Sequence, residues 1–433
     1  MKVLLVGGGG REDALAWALA RSPSTRLLRC APGNAGIARH AERVPIAAED
    51  VDRLADHAMA ERYDLVVVGP EAPLVGGLAD RLRGAGLAVF GPSRDAAEIE
   101  GSKVYAKLFM ERHAIPTARF EVFEDAARAA RYLASAEVSY PVVVKADGLA
   151  AGKGVVIAPD QETAGSAATE MLTLGRFGAA GSRIVVEEML RGREASFFAL
   201  CDGERCVELA ACQDYKRADD FDRGPNTGGM GAYSPSVYLS PALRRELLDS
   251  IVARTVDGLA SDGRPYRGVL YVGVMLTEAG PKVLEYNARF GDPETQVLVP
   301  RLDGDWLPAL AACADGTLDG IEPRWKGDVA VCVVMASGGY PGAYAKGTRI
   351  EGLREAEAVP GVTVFHAGTA PAGDGGVVTA GGRVLGVTAL GKTVAVARER
   401  AYRAVEQVRF EGEHHRSDIA LDAVQVAEGR EKA

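Results

Sequence analysis

At 433 residues the chain exceeds what one hydrophobic core holds, so three or four compact units are expected, and 47% hydrophobic with 25% charged residues is ordinary globular composition. No apolar run approaches the roughly 20 residues a bilayer crossing needs, and the apolar part of MKVLLVGGGG is too short for an export signal, so no membrane partner and a cytoplasmic location are expected. With 59 acidic against 50 basic side chains, a net charge of −9 and no basic run interleaved with aromatics, nucleic acid is not an expected partner.

From residue 2 to about 92 apolar strands alternate with helices: KVLLV, EDALAWALARS, RLLRCA, a helix from Val51 to Arg62, DLVVVG, LVGGLADRLRGAG and AVFG. That alternation predicts parallel strands with crossover helices, and places three Gly-rich loops, 7–12, 31–36 and 69–74, on one edge of the sheet. A helix beginning near Ser102 stops before Pro116, and a second unit runs to about 195, its strand YPVVVKADG passing through GLAAGKGV directly into VVIAP. Residues 213–235 fit neither a helix nor a strand template well and read as a long loop, either functional or a disordered linker. A helix over 241–261, strands around 268–277 and 281–288 and a helix over 305–315 follow. The last unit carries the strand VAVCVVMA, a hairpin VVTAGGRVLGVTAL turning at Gly381-Gly382, and the helix KTVAVARERAYRAVEQV.

Several motifs carry chemistry. In KVLEYNARFGDPETQ, strand alternation puts Glu285 and Asn287 on one face and Tyr286 and Ala288 on the other. Two adjacent oxygen ligands suit Mg2+, which completes its shell with water and phosphates. GGGGRE after a strand reads as a phosphate loop or a structural turn; its third glycine is misplaced for a dinucleotide fingerprint, since Glu12 stands there. GLAAGKGV is not a P-loop, having three residues between Gly148 and Gly152 and Gly154 in place of Ser/Thr; it reads as a flap that closes over phosphates, with Lys145 as a point charge. VVEEML ends a strand in two acids, suited to framing a base or to an exposed turn. Lys103 and Lys107 lie one helical turn apart, as phosphate contacts or as a solvated face. Asp214, Lys216, Arg217 and Asn226 in the 213–235 segment suit an anionic polar substrate. The six cysteines form no C-x-x-C pair and read as reduced structural residues, and the histidines show no metal-ligand spacing.

Taken in order, GGGGRE, APGNAG, VVGPEAPLV, EGSK, KADGLAAGKGV, EEMLRGREASF, QDYKR, GPNTGGMGAYSP, EYNARFGDPETQ, GGYPG, HAGT and GGRVLGVTALG resemble the phosphoribosylamine-glycine ligase family of the ATP-grasp superfamily across nearly the whole chain. The resemblance implies an α/β fold: a doubly wound pre-ATP-grasp domain over 1–102, an ATP-grasp module over 103–327 with a mobile lid over about 117–195, and a C-terminal α+β domain over 328–425. It implies a ligase that joins glycine to 5-phosphoribosylamine at the expense of ATP, with Mg2+ or Mn2+, as a monomer or weak homodimer. On this likeness Lys103, Lys145, the flap residues Gly148, Ala151, Gly152, Lys153 and Gly154, the hinge Glu187, Glu188 and Leu190, and Glu194 would contact ATP. Glu285 and Asn287 would hold the metal; Arg289, Asp214 and Lys216 would be catalytic; Gly8, Gly9, Gly10, Arg11, Glu12, Pro70, Glu71, Asn226 and Arg289 would bind substrate. Two residues depart from the family pattern in segments expected to face the phosphoribosylamine: Asp13 and Tyr215 stand where His is usual. HHRSDIA departs at His415 and Ala420.

Overall fold

The computed structural model describes residues 1–148, 154–173 and 181–430. Its first sheet is parallel throughout, ordered Glu42–Arg43, Leu27–Pro32, Lys2–Gly7, Leu65–Val68, Val89–Phe90. The central strand is fully buried from Val3 to Val6, covered on both faces, as a strand between crossover helices requires. All three Gly-rich loops leave the same edge of this sheet, as the alternation predicts.

Residues 120–188 form a separate small layer. Its antiparallel sheet, ordered Phe120–Phe123, Ile184–Glu188, Val142–Ala146, Val155–Ala158, packs its own core against the helices Ala126–Leu133 and Gln161–Thr173. The strand that follows, Arg193–Asp202, belongs to a larger antiparallel sheet with Cys206–Glu208, Arg267–Thr277 and Gly280–Asn287, so the small layer's last strand ends at Glu188. The final unit is built on Val329–Ser337, flanked by Arg383–Gly391 and by Gly231–Ser234. Among the described residues no helix is long and apolar enough to cross a membrane.

Four expectations need correction. The helix read over 74–86 is two helices, Glu71–Val75 and Leu78–Gly84, broken where Gly77 takes φ +86°. The helix starting at Ser102 has an unforeseen predecessor, Arg94–Gly101; Ser102 ends one and caps the next, Lys103–Arg112, its Oγ accepting from the Tyr105 amide at 3.0 Å in extended geometry. The 213–235 segment is not a loop but a run of short strands, two of them (Arg217–Asp219, Arg223–Asn226) forming a ribbon. The hairpin at Gly381-Gly382 does not form: Val377–Thr379 pairs with Thr369–Pro371 in a separate three-stranded sheet, while Arg383–Gly391 pairs with Val362–His366. The two glycines mark a crossing of backbones, where a Cβ on Gly368 would sit 2.4 Å from the Gly381 Cα.

Candidate active site

The strand Gly280–Asn287 carries the centre of the site. Val283 and Tyr286, though three residues apart, both point into the core because the ladder with Arg267–Thr277 shifts register between them, and the Tyr286 hydroxyl meets Thr255 Oγ1 at 2.8 Å; beyond the shift, alternation leaves Glu285 and Asn287 together on the open face. Burial pulls the Glu285 pKa up, but Lys216, Lys145, Lys103 and Arg289 more than offset this and hold it below the ordinary carboxylate value. These cations arrive from four elements. Lys103 opens the helix Lys103–Arg112, Lys145 comes from the small layer, Lys216 follows the short strand Gln213–Asp214, and Arg289 lies just beyond Asn287.

Each cation is aimed by a partner. Lys103 Nζ donates to the Gly148 carbonyl at 2.9 Å, and Asp147 ties that same junction down: its Oδ1 accepts from Ser102 Oγ (2.9 Å) and the Val104 amide (3.1 Å), its Oδ2 from Arg183. Lys145 Nζ lies 2.9 Å from Glu187 Oε1 and donates to the Leu284 carbonyl at 3.3 Å, beside Glu285. Arg289 pairs with Glu100 at 2.8 Å and with Glu71 at 3.3 Å. Lys216 pairs with Asp214 at 2.6 Å, and burial, which would lower its pKa, is outweighed by Asp214, Tyr271, Glu294 and Glu285, so its ammonium is firmly held. The chain locks it from behind, since the Lys216 carbonyl accepts from both the amide and the hydroxyl of Thr227, next to Asn226.

A divalent cation fits this donor set. Glu285 and Asn287 present hard oxygens on one face, and neither side chain forms a hydrogen bond or ion pair among the described residues. With two protein oxygens, a cation here would draw the rest of its shell from phosphate and water, as Mg2+ does.

Other expected residues fall in different places. Glu187 is 3% exposed and turned inward, between Lys145 and a buried Lys107, whose Nζ is 3.1 Å from Glu187 Oε2. Lys107 is therefore no solvated surface lysine; burial pushes its pKa down to about 8 against the pull of Glu187. Glu188 stays at the edge, accepting from the Arg119 amide at 3.0 Å and pairing with Lys282 at 3.1 Å, and Leu190 is half-buried. Glu194, second in its strand, is exposed along its length, while the protein packed about its carboxyl, by desolvating it, and then Asp214 raise its pKa. Gly148 and Gly154 flank the flap, whose Ala151, Gly152 and Lys153 lie outside the described residues.

In the first domain, Glu12 does not face the open edge. It lies under its own loop at 2% exposure, accepting from the Gly9 amide at 2.6 Å, and a Cβ on Gly69 would meet it at 2.2 Å. Gly8 packs on Gly33, while Gly9 and Gly10 face Asp292, and Arg11 reaches the Phe290 carbonyl at 2.8 Å and Glu71 at 3.9 Å; Pro70 precedes the short helix of Glu71. The GGGGRE loop thus docks on the turn that follows Arg289. Asp13 and Tyr215 do not line a pocket either. Asp13 is 0% exposed and accepts from the His366 amide at 2.6 Å, joining the first domain to the last. Tyr215 donates to Asp422, accepts from the Ala420 amide at 2.9 Å and lies under the Arg416 guanidinium.

The ribbon bearing Asn226 is closed by the C-terminal segment. Phe221 and Asp222 both take left-handed backbone (φ +58° and +53°), a conformation that disfavours side chains by roughly 1–2 kcal/mol each. Arg416, 1% exposed, holds them in place, donating to both oxygens of Asp418 at 2.7 Å and to Asp222 at 2.8 Å, while Asp418 accepts from the Phe221 amide. Glu100, Asp147, Tyr271 and Glu294 were not singled out by the sequence; Glu100 in EGSK and Glu294 in DPETQ lay inside recognised segments, whereas Tyr271 sits in a plain apolar strand with no signal.

A parallel three-layer domain, a small lid-like layer and a large antiparallel sheet whose cleft gathers lysines around a carboxylate define an ATP-grasp ligase architecture. Models for the three domains of phosphoribosylglycinamide synthetase match the chain: the N domain over residues 1–100, the ATP-grasp (A) domain over 101–295 and the C domain over 330–422. The chain belongs to this phosphoribosylglycinamide synthetase family. It is 52% identical over 426 residues to the phosphoribosylamine-glycine ligase of Caulobacter vibrioides, covering 98% of this chain and 99% of that protein, and 50% identical to that of Agrobacterium fabrum over the full length of both. The crystal structure of phosphoribosylamine-glycine ligase from Thermotoga maritima superposes with a TM-score of 0.84 at 36% identity, over 97% of this chain and 100% of that one. Biotin carboxylase from Campylobacter jejuni (TM-score 0.74, 13% identity, 96% and 93% covered) shares the fold alone.

Proposed function

We propose that this chain joins glycine to 5-phosphoribosylamine, converting ATP to ADP and phosphate and yielding glycinamide ribonucleotide through a glycyl phosphate, as a cytoplasmic monomer or weak homodimer. The observation that carries this reading is the convergence of Lys103, Lys145, Lys216 and Arg289 on the open face of Glu285 and Asn287. A carboxylate does not expel oxide, so phosphorylation must first supply a leaving group. Positioning and charge stabilisation then do the work, and no enzyme nucleophile is required.

In this scheme Lys103 and Lys145 bind the nucleotide phosphates while the 148–154 flap closes over them. The backbone from Glu187 to Leu190 frames the adenine and Glu194 accepts from the ribose; the Glu187 carboxylate serves Lys145 rather than the base. Glu285 and Asn287 would hold Mg2+ or Mn2+, which when bound draws charge off the terminal phosphate. Arg289, steadied by Glu100 and Glu71, binds the transferring phosphoryl group or the glycine carboxylate, and Asp214 and Lys216 meet the substrates at the adjoining wall. Arg11, Glu71 and the glycine loop, with Pro70 and Asn226, contribute to the phosphoribosylamine side, Glu12 by fixing the loop. Exclusion of water by the lid protects the acyl phosphate.

A coupled ADP assay with phosphoribosylamine generated in situ, each substrate omitted in turn, tests this. ADP release should require glycine; release indifferent to glycine would overturn it.

A further inference from the structure

The wall beside Lys216 joins Asp214 to three buried polar groups that the scheme above leaves unused, Ser196, Tyr271 and Glu294. Ser196 is 1% exposed, Tyr271 3%, Asp214 8% and Glu294 1%. They come from four elements: Arg193–Asp202, Arg267–Thr277, Gln213–Asp214 and the helix Glu294–Leu298. Their hydroxyls and carboxylates form one unbroken series: Asp214 Oδ1 to Ser196 Oγ 3.3 Å, Ser196 Oγ to Tyr271 Oη 2.9 Å, Tyr271 Oη to Glu294 Oε1 2.7 Å. One end is at the cleft, where Asp214 pairs with the one-third-exposed Lys216 at 2.6 Å; the other is sealed. Room for the sealed end depends on Gly291, since a Cβ there would stand 2.4 Å from Glu294 Oε2.

Amide formation sheds a proton from the attacking amine, inside a cleft that must exclude water to spare the acyl phosphate. We propose that Asp214, Ser196, Tyr271 and Glu294 form a relay that carries this proton from the amine to Glu294. The inference rests on the ligase reading of the site. The balance is simple. The amine N–H breaks as its lone pair closes the C–N bond, and Asp214 takes the proton. Protonated, Asp214 becomes the donor to Ser196 Oγ; Ser196 turns its hydroxyl from Asp214 to Tyr271 and passes its own proton on, and Tyr271 passes its own to Glu294. Three O–H bonds break and three form, one proton has moved, and Asp214 is again a carboxylate paired with Lys216. When the site opens after product release, the reverse series returns the proton to solvent through Asp214.

The surroundings suit a proton-holding carboxyl. Burial, then the charge of Asp214, raise the pKa of Glu294, with Lys216 and the Tyr271 hydrogen bond opposing. Arg289, Arg383, Cys212 and Cys332 also lie within its electrostatic reach. Glu294 does not touch substrate in this scheme; it is a positioning residue that acts through Tyr271 and Ser196.

The test separates the two half-reactions. Glycyl phosphate is trapped with hydroxylamine, a nucleophile that needs no base, and amide formation is followed with phosphoribosylamine. Glu294→Gln keeps an oxygen to accept from Tyr271 but cannot store a proton. It should lower amide formation by about 100-fold while hydroxamate stays within roughly twofold of wild type, a loss in the range general-base groups contribute. The solvent deuterium isotope effect on the amide step should shrink with it. Ser196→Ala should give a similar loss, and the double variant little more, because the residues act as a unit. Wild-type amide formation in Glu294→Gln, or an equal fall in both half-reactions, would overturn the relay. A wild-type enzyme that forms no hydroxamate would remove the acyl phosphate itself and the relay with it.

Discussion

Asp13 makes a quantitative prediction possible. It is wholly buried, its Oδ2 accepts from the His366 amide, and its Oδ1 has no hydrogen-bond partner among the described residues. Burial raises its pKa from 3.8 to about 7, against the His366 amide and Arg39, with Glu357 adding to the rise. In the unfolded chain the group ionises near its ordinary value. Between about pH 4 and 7 the folded state therefore binds more protons than the unfolded one, so this carboxyl's contribution is fully present below pH 4 and is lost as pH rises through 7. Three pH units correspond to as much as about 4 kcal/mol. Asp13→Asn retains an oxygen for His366 and removes the ionisation. Urea unfolding at pH 5, 6, 7 and 8 should show the variant gaining on wild type as pH rises, the gap approaching that ceiling at pH 8. Trp17, one turn along the same helix and edge-on to Phe365 at 6.1 Å, reports on this junction by fluorescence. A stability difference that stays constant from pH 5 to 8 would refute the reasoning.

Other expectations are simpler. Glu285→Ala should abolish ADP release at an unchanged melting temperature; turnover in saturating Mg2+ would show that the cation binds elsewhere. Glu187→Gln strands Lys107 and Lys145 without their shared counter-charge and should cost about 3–5 kcal/mol in urea unfolding, the usual penalty for breaking a buried pair; a loss under about 1 kcal/mol would mean the lysines reach water. Asp147→Ala releases Ser102, the Val104 amide and Arg183, and should raise the KM for ATP several-fold with a smaller effect on kcat, measured by initial rates over an ATP series.

The parallel first sheet was legible because its strands are continuous apolar runs and its glycines fall at strand ends. The ribbon within 213–235 was not, since two-to-four-residue strands rich in Asp, Arg and Gly carry no period; only pairing with distant strands defines them. The Gly381-Gly382 signal was real but ambiguous: two glycines permit a turn and equally permit two backbones to cross, and Gly368, distant in sequence, decides between them. Among the proposed site residues, Glu285, Asn287, Arg289 and Lys145 could be singled out because short segments concentrate them. Which way Glu187, Asp13 and Tyr215 turn was unreadable, because each faces a partner from another domain or layer, and Glu12 turns back under its own loop, which no sequence period records.

The grip of Arg416 and Asp418 on the 217–226 ribbon has a consequence for biogenesis. Nearly 200 residues separate the two segments, so a nascent chain emits the ribbon long before the residues that secure it. Until the last portion leaves the ribosome, Phe221 and Asp222 lack the grip of Arg416 and Asp418 on their left-handed backbone, and the ribbon beside Lys216 is among the last parts of the fold to be secured.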